Sequence, residues 1–271
     1  RKVRSMPEVN VNGVSLHFRI EGPEGAPWVT FSNSLATDLH LWDAQAALLA
    51  DRFRILRYDT RGHGKSDAAP GAYDFAMLES DLIGLWDALG IGRSHMVGLS
   101  LGGSTGIGLA IHHPGRIASL AACDCRVTAP PDFRRAWEGR IEIARAQGMA
   151  GLVEETMGRW FTAATLDADP PQLAAIREMI RASSLEVFIG CARALQAIDY
   201  LGEINGISCP TLFVVGEADP AATPELAGAM HGRLQGSKLV ELSGAAHLSN
   251  IENPGAFNAA VIPFLDSMVA G

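Results

Sequence analysis

Long apolar runs, charge blocks and paired cysteines are all missing from this sequence, and each absence removes a class of function. No run reaches the ~18 consecutive apolar residues that a bilayer-spanning helix needs. The opening RKVRSMPEV has no apolar centre of the kind a signal peptide carries. A cytoplasmic protein without membrane association is therefore expected. Residues 1–5 are set aside as a ragged end, with Met6 the expected native start. The 30 acidic and 22 basic residues are spread without blocks, and a net charge of −8 offers no footprint for nucleic acid or an anionic membrane surface. Cys123, Cys125, Cys191 and Cys209 form no CxxC pair and no Cys/His cluster at metal spacing. They read as reduced core thiols, and the chemistry requires no metal or other cofactor. No internal repeat is evident.

What the chain does have is apolar residue, 48% of 271 positions, enough to fill the core of one large domain with an insertion. Strand-like and helix-like runs alternate, which predicts an α/β fold with a mostly parallel sheet covered by helices on both faces. A strand pair is expected first, with VSLHFRI (14–20), a turn at GPEGAP and the buried-strand run WVTFS (28–32). Helix 39–50, strand FRILRYD (53–59), a glycine-rich loop DTRGHGKSD and helix 74–90 follow. SHMVGL and RIASLAAC then bracket a helix over 101–113. From 126 to 205 the alternation stops and the pattern becomes helical, with breaks at GMAG and DADPP, which reads as an inserted cap. CPTLFVVGEAD (209–219) and SKLVELSG (237–244) resume the strand pattern before a last helix over 254–269. Two short strands cannot fold alone. Residues 6–125 and 206–271 are therefore expected to form one core domain.

The segment HMVGLSLGGSTG sets Ser100 between glycines where a strand gives way to a helix. Such a G-x-S-x-G turn can present a serine hydroxyl above the carboxyl edge of a sheet, facing a helix amide end. Taken alone, the same glycines would equally serve close helix packing, with Ser100 a helix cap. The downstream residues favour a nucleophile. A serine hydroxyl needs a base and a group to orient it. Of eight histidines, His247, in the small-residue loop GAAHLSN, follows the last strand and precedes the last helix. Asp219, after the strand TLFVVGE, completes the chain order Ser, Asp, His; Asp124, after RIASLAAC, is the rival acid. Backbone amides to receive an oxyanion are expected at Leu101, directly after the serine, and at Leu35 in SNSL.

These residues resemble the α/β-hydrolase superfamily and, within it, the 3-oxoadipate enol-lactonases of aromatic catabolism. The likeness spans nearly the whole chain. It is carried by SNSLATDL (32–39), RYDTRGHGKS (57–66), GLSLGG (98–103), GRWFTA (158–163), GEADPAATP (216–224) and AAHLSNIENP (245–254). The resemblance implies an eight-stranded α/β-hydrolase sheet, Ser100 as nucleophile, Asp219 as acid, His247 as base, and Leu35 with Leu101 as oxyanion donors. It also implies a small lactone or ester substrate in the β-ketoadipate pathway, most simply a carboxylated enol-lactone. Its carboxylate would meet a cation from the cap, where Arg134, Arg135, Arg140 and Arg159 are candidates, with Trp137 and Trp160 as apolar walls. Asp124, Cys125 and Arg126 depart from the small neutral residues usual after that strand in these lactonases. A general carboxylesterase, a cofactor-free perhydrolase and a hydrolase-fold receptor of small molecules are the alternatives.

Overall fold

A computed structural model describes residues 7–269; residues 1–5 and Met6, set apart above, lie outside the described residues. Eight strands form one sheet: β1 (Glu8–Val11), β2 (Val14–Glu21), β3 (Trp28–Ser32), β4 (Arg54–Tyr58), β5 (Ser94–Leu99), β6 (Ile117–Cys123), β7 (Thr211–Gly216) and β8 (Lys238–Leu242). Their order is β1-β2-β4-β3-β5-β6-β7-β8. β1 and β2, and β2 and β4, are antiparallel; all other neighbours are parallel. Around the sheet lie α1 (Asp43–Leu49), α2 (Phe75–Ala88), α3 (Leu101–His112), α9 (Pro224–Arg233), α10 (Ser249–Glu252) and α11 (Pro254–Ser267). Between β6 and β7 the chain makes α4 (Pro131–Gln147), α5 (Val153–Trp160), α6 (Ala163–Ala168), α7 (Gln172–Ala182) and α8 (Leu185–Ala197).

The central strands are buried on both faces and read as unbroken apolar runs, while their side chains alternate between two cores. Val29, Phe31, Val97, Leu99, Leu212 and Val214 face one core, which also takes in α1, α11 and the helices between β6 and β7. Leu56, Met96, Leu120, Phe213 and Val215 face the other, filled from α2, α3 and α9. The helical excursion thus shares a core with the sheet, and its two ends meet in a bridge between Thr128 and Asp199.

The expected pairing of VSLHFRI with WVTFS is not what forms. β2 instead turns back on β1 through Asn12-Gly13, both left-handed (φ 49° and 79°), the conformation a two-residue hairpin turn demands. β4 then inserts between β2 and β3, taking the edge of β3 that β2 would have needed. The helix expected over 39–50 begins as a 3₁₀ turn (Leu39–Trp42) capped by Asp38 before α1 starts. α9, which the sequence pattern above does not mark, starts at Pro224, where a missing amide hydrogen costs nothing.

From β3 the chain moves outward to β4 and then returns across β3 to β5. The carboxyl ends of β3 and β5 therefore flank the point where the strand order reverses, the place where open α/β sheets form their clefts.

Candidate active site

Ser100 lies in that cleft, between the end of β5 and the start of α3, with φ 54° and ψ −111°. A side chain rarely tolerates such backbone angles, and the neighbours hold it there. Its amide donates to Cys123 O at 2.9 Å, its carbonyl accepts from Ser104 N at 2.9 Å, and Gly102 N donates to Asn33 O at 2.9 Å. The bend is tight enough to require glycine. A Cβ on Gly98 would sit 2.3 Å from Gly102 O, and one on Gly102 would sit 2.3 Å from Ser32 O.

His247 Nε2 lies 2.9 Å from Ser100 Oγ, and its Nδ1 lies 2.7 Å from Asp219 Oδ2. The other oxygen of Asp219 accepts from the amides of Ala221 (2.7 Å) and Ala222 (3.0 Å), so the carboxylate is held from both sides. The Trp160 ring lies over the imidazole, with centroids 6.5 Å apart and planes 30° apart. Ser100, His247 and Asp219, proposed from chain order, are thus brought into one hydrogen-bonded line.

Asp124, the rival acid, has a different position. It is fully buried at the end of β6, with its oxygens accepting from Gly216 N (2.8 Å) and from Ser249 Oγ. Gly216 lies three residues before Asp219 and Ser249 two residues after His247, so Asp124 ties the two loops together. Burial, and then the charge of Asp219, push its carboxyl well above the usual carboxylate range.

The segment after β3 is held as a fixed loop. Asn33 Nδ2 donates to Tyr58 O at 2.8 Å, Thr37 Oγ1 donates to Ser34 O at 2.8 Å, and Ala36 adopts φ 59°. Leu35 lines the cavity beside Ser100, and Leu101, at the first position of α3, presents an amide that the helix itself cannot engage. Ser34 Oγ, next to Leu35, is buried in the cavity wall without a partner, a feature no pattern in the sequence marks.

The cavity above Ser100 and His247, counted out into its open mouth, spans about 670 Å³. Trp137, Arg140, Arg159 and Trp160 line it. Arg134 and Arg135 do not. Phe133, four residues before Trp137, takes the inward position on α4, and both arginines are exposed. Arg134 turns back to Ala129 O at 2.7 Å, and Arg135 pairs with Asp132 on the helix surface.

Glu252 went unnoticed in the sequence, although it lies in AAHLSNIENP. Its Oε2 accepts from Ala246 N at 2.6 Å, and its Oε1 accepts from Thr162 N and Oγ1, each at 2.7 Å. Leu248 N donates to Trp160 O at 3.1 Å. The two segments GRWFTA and AAHLSNIENP are therefore in direct contact, which their separation in sequence conceals. No group of three metal-ligating side chains occurs among the described residues, and no helix among them is long and apolar enough to cross a membrane.

A strained serine at a strand-to-helix bend, an imidazole on its hydroxyl and an orphan amide at the next helix start define a hydrolase architecture. The sequence profile of the alpha/beta hydrolase fold matches residues 27–254, and the chain belongs to that family. Within it, the chain is similar to two 3-oxoadipate enol-lactonases of Acinetobacter baylyi. Enol-lactonase 2 is 34% identical over 248 residues, covering 92% of each chain, and enol-lactonase 1 is 34% identical over 268 residues, covering 98% of this chain and 99% of that one. The crystal structure of the enol-lactonase from Burkholderia xenovorans LB400 superposes with a TM-score of 0.92 at 41% identity, covering 96% of this chain and all of that one.

Proposed function

We propose that the protein is a serine hydrolase that opens a small carboxylated lactone, with 3-oxoadipate enol-lactone the preferred substrate. The observation that carries this reading is the line Ser100 Oγ, His247 Nε2, His247 Nδ1, Asp219 Oδ2, with links of 2.9 and 2.7 Å. The similarity to enol-lactonases over nearly the whole chain supports the substrate.

In the proposed reaction His247 Nε2 takes the Ser100 proton as Oγ attacks the ring carbonyl carbon. Asp219 keeps the Nδ1 hydrogen in place and stabilises the imidazolium that forms. The tetrahedral oxyanion is received by the Leu35 and Leu101 amides, a contribution worth ~10²–10³ in rate per donor. Collapse breaks the bond to the ring oxygen, which takes the proton from His247 and stays tethered to the acyl group. Water, deprotonated by the same imidazole, then releases the acid and restores Ser100. The helices from 131 to 197 act as the cap: Trp137 and Trp160 wall the ring, and Arg159, whose buried Nε and Nη1 have no partner, supplies charge for the carboxylate.

The test is turnover of carboxylated enol-lactone, plain butyrolactone and nitrophenyl acetate by the purified protein. The lactonase reading predicts a kcat/KM at least about 10²-fold higher for the first than for butyrolactone. A preference of only a few-fold would leave a general esterase as the better description.

A further inference from the structure

A second space of about 730 Å³ lies between α4 and the segment running from Pro220 into α9. Arg126, Phe133, Arg140, Arg159 and Ala221 line both this groove and the inner cavity, so they mark the boundary between the two. The charges there are not equivalent. Arg140 is paired with Glu155 at 3.2 Å. Arg126 and Arg159 make no direct salt bridge among the described residues, although the charge of Asp219 acts on Arg126 from a distance.

Arg126 is 8% exposed, and burial draws its guanidinium down to about 10. Its plane is held by Nε on Thr128 O (2.7 Å) and Nη1 on Ala221 O (3.1 Å), with the Phe133 ring 3.5 Å from the guanidinium carbon. Those contacts occupy two of five donor hydrogens and fix the orientation of the rest. Arg159 buries Nε and Nη1 with no acceptor, its guanidinium carbon 5.9 Å from the Trp137 ring centre. Guanidinium donors held out of water with no acceptor are costly, and the cost is recovered when an acceptor arrives. The fixed fork makes a planar carboxylate the matching group. In a chain of net charge −8, one buried and one half-buried arginine with unused donors meet at one mouth.

We propose that Arg126 and Arg159 form an anion subsite at this boundary, which receives the carboxylate a substrate carries away from its reacting carbonyl, with Arg126 setting the preference for acids. Arg126, three residues past the end of β6, holds both the neck of the helical excursion at Thr128 and the Asp219 loop at Ala221. A carboxylate bound there therefore bears on the sheet as well as on the cap. The proposal rests on the serine-hydrolase reading for its location, but it does not depend on which lactone is turned over.

The test is inhibition of nitrophenyl acetate turnover by adipate and by hexanoate, which differ in one terminal carboxylate. The ratio of their inhibition constants is read for the wild type, Arg126→Gln, Arg126→Lys and Arg159→Gln. Taking a ratio within each variant cancels any loss of activity common to both inhibitors. The wild type is expected to bind adipate about tenfold or more tighter than hexanoate. Each Gln variant is expected to bring the ratio within about threefold of one, and Arg126→Lys to keep part of it. If Arg126→Gln abolishes reporter turnover, the same ratio is read by calorimetric titration. A wild-type ratio near one, or a ratio unchanged in Arg126→Gln, overturns the proposal. Failure to open a carboxylated lactone while the ratio behaves as expected would instead count against the lactonase reading alone.

Discussion

Thr162 and Glu252 join the two most distinctive segments of the chain: the amide and hydroxyl of Thr162 both donate to Glu252 Oε1 at 2.7 Å. Because Glu252 Oε2 accepts from Ala246 N, the residue before His247, one carboxylate spans the end of α5 and the loop that carries His247. Glutamine at 252 could still accept from Thr162, but its Nε2 would face the Ala246 amide donor to donor. Glu252→Gln is therefore predicted to lower stability by about 1–3 kcal/mol and to reduce kcat more than it raises KM. Equilibrium urea unfolding and steady-state kinetics on nitrophenyl acetate check both, and an unchanged kcat would leave Glu252 a purely structural clamp.

The two rival acids, Asp219 and Asp124, are predicted to separate by mutation. Asp219→Asn removes the acceptor for His247 Nδ1 and is expected to lower kcat by about 10⁴-fold. Asp124→Asn keeps an acceptor for Gly216 N and a polar partner for Ser249, and is expected to lower kcat by less than about tenfold. The reverse ranking would move the acid of the proposed triad to β6.

Asp124 also predicts a pH dependence. Burial and the neighbouring Asp219 hold its carboxyl above the usual range, so the folded chain keeps a proton that the unfolded chain releases near pH ~3.9. The stability this proton contributes is complete below that pH and is lost as pH rises through the higher folded value. Asparagine has no such proton to lose. Urea midpoints measured from about pH 4 to 8 should therefore decline less for Asp124→Asn than for the wild type. Parallel curves would show that the residue stays ionised in the fold.

Gly102→Ala tests the bend itself. The added methyl would meet Ser32 O at 2.3 Å, and backbone at the end of β3 can yield only by moving the segment that carries Leu35. A loss of at least about 1–3 kcal/mol is expected, with kcat falling as the proposed oxyanion donors separate. Wild-type activity in this variant would mean that the bend tolerates a wider path than the structure indicates.

Much of the fold was legible in the sequence, because buried parallel strands such as SHMVGL and TLFVVG are continuous apolar runs between helical patterns. The Asn12-Gly13 hairpin was not read, because the polar strand EVNV before it lacks the apolar content that marks a strand. Ser100 and His247 stand out because glycine and alanine crowd around them. Arg126, Glu252 and Ser34 do not, since their roles arise from which loops the sheet order brings together. Arg134 and Arg135 share a helix with Arg140, yet Phe133 and Trp137 take the inward positions, and only packing decides that.

The central claim is that Ser100 forms an acyl-enzyme, and rapid-quench mass spectrometry with a carboxylated enol-lactone tests it most directly. A transient adduct equal to the lactone mass is expected on the peptide containing Ser100, absent in Ser100→Ala, which should also lose at least about 10⁴ in kcat. Undiminished turnover by Ser100→Ala, or an adduct on another residue, would contradict it.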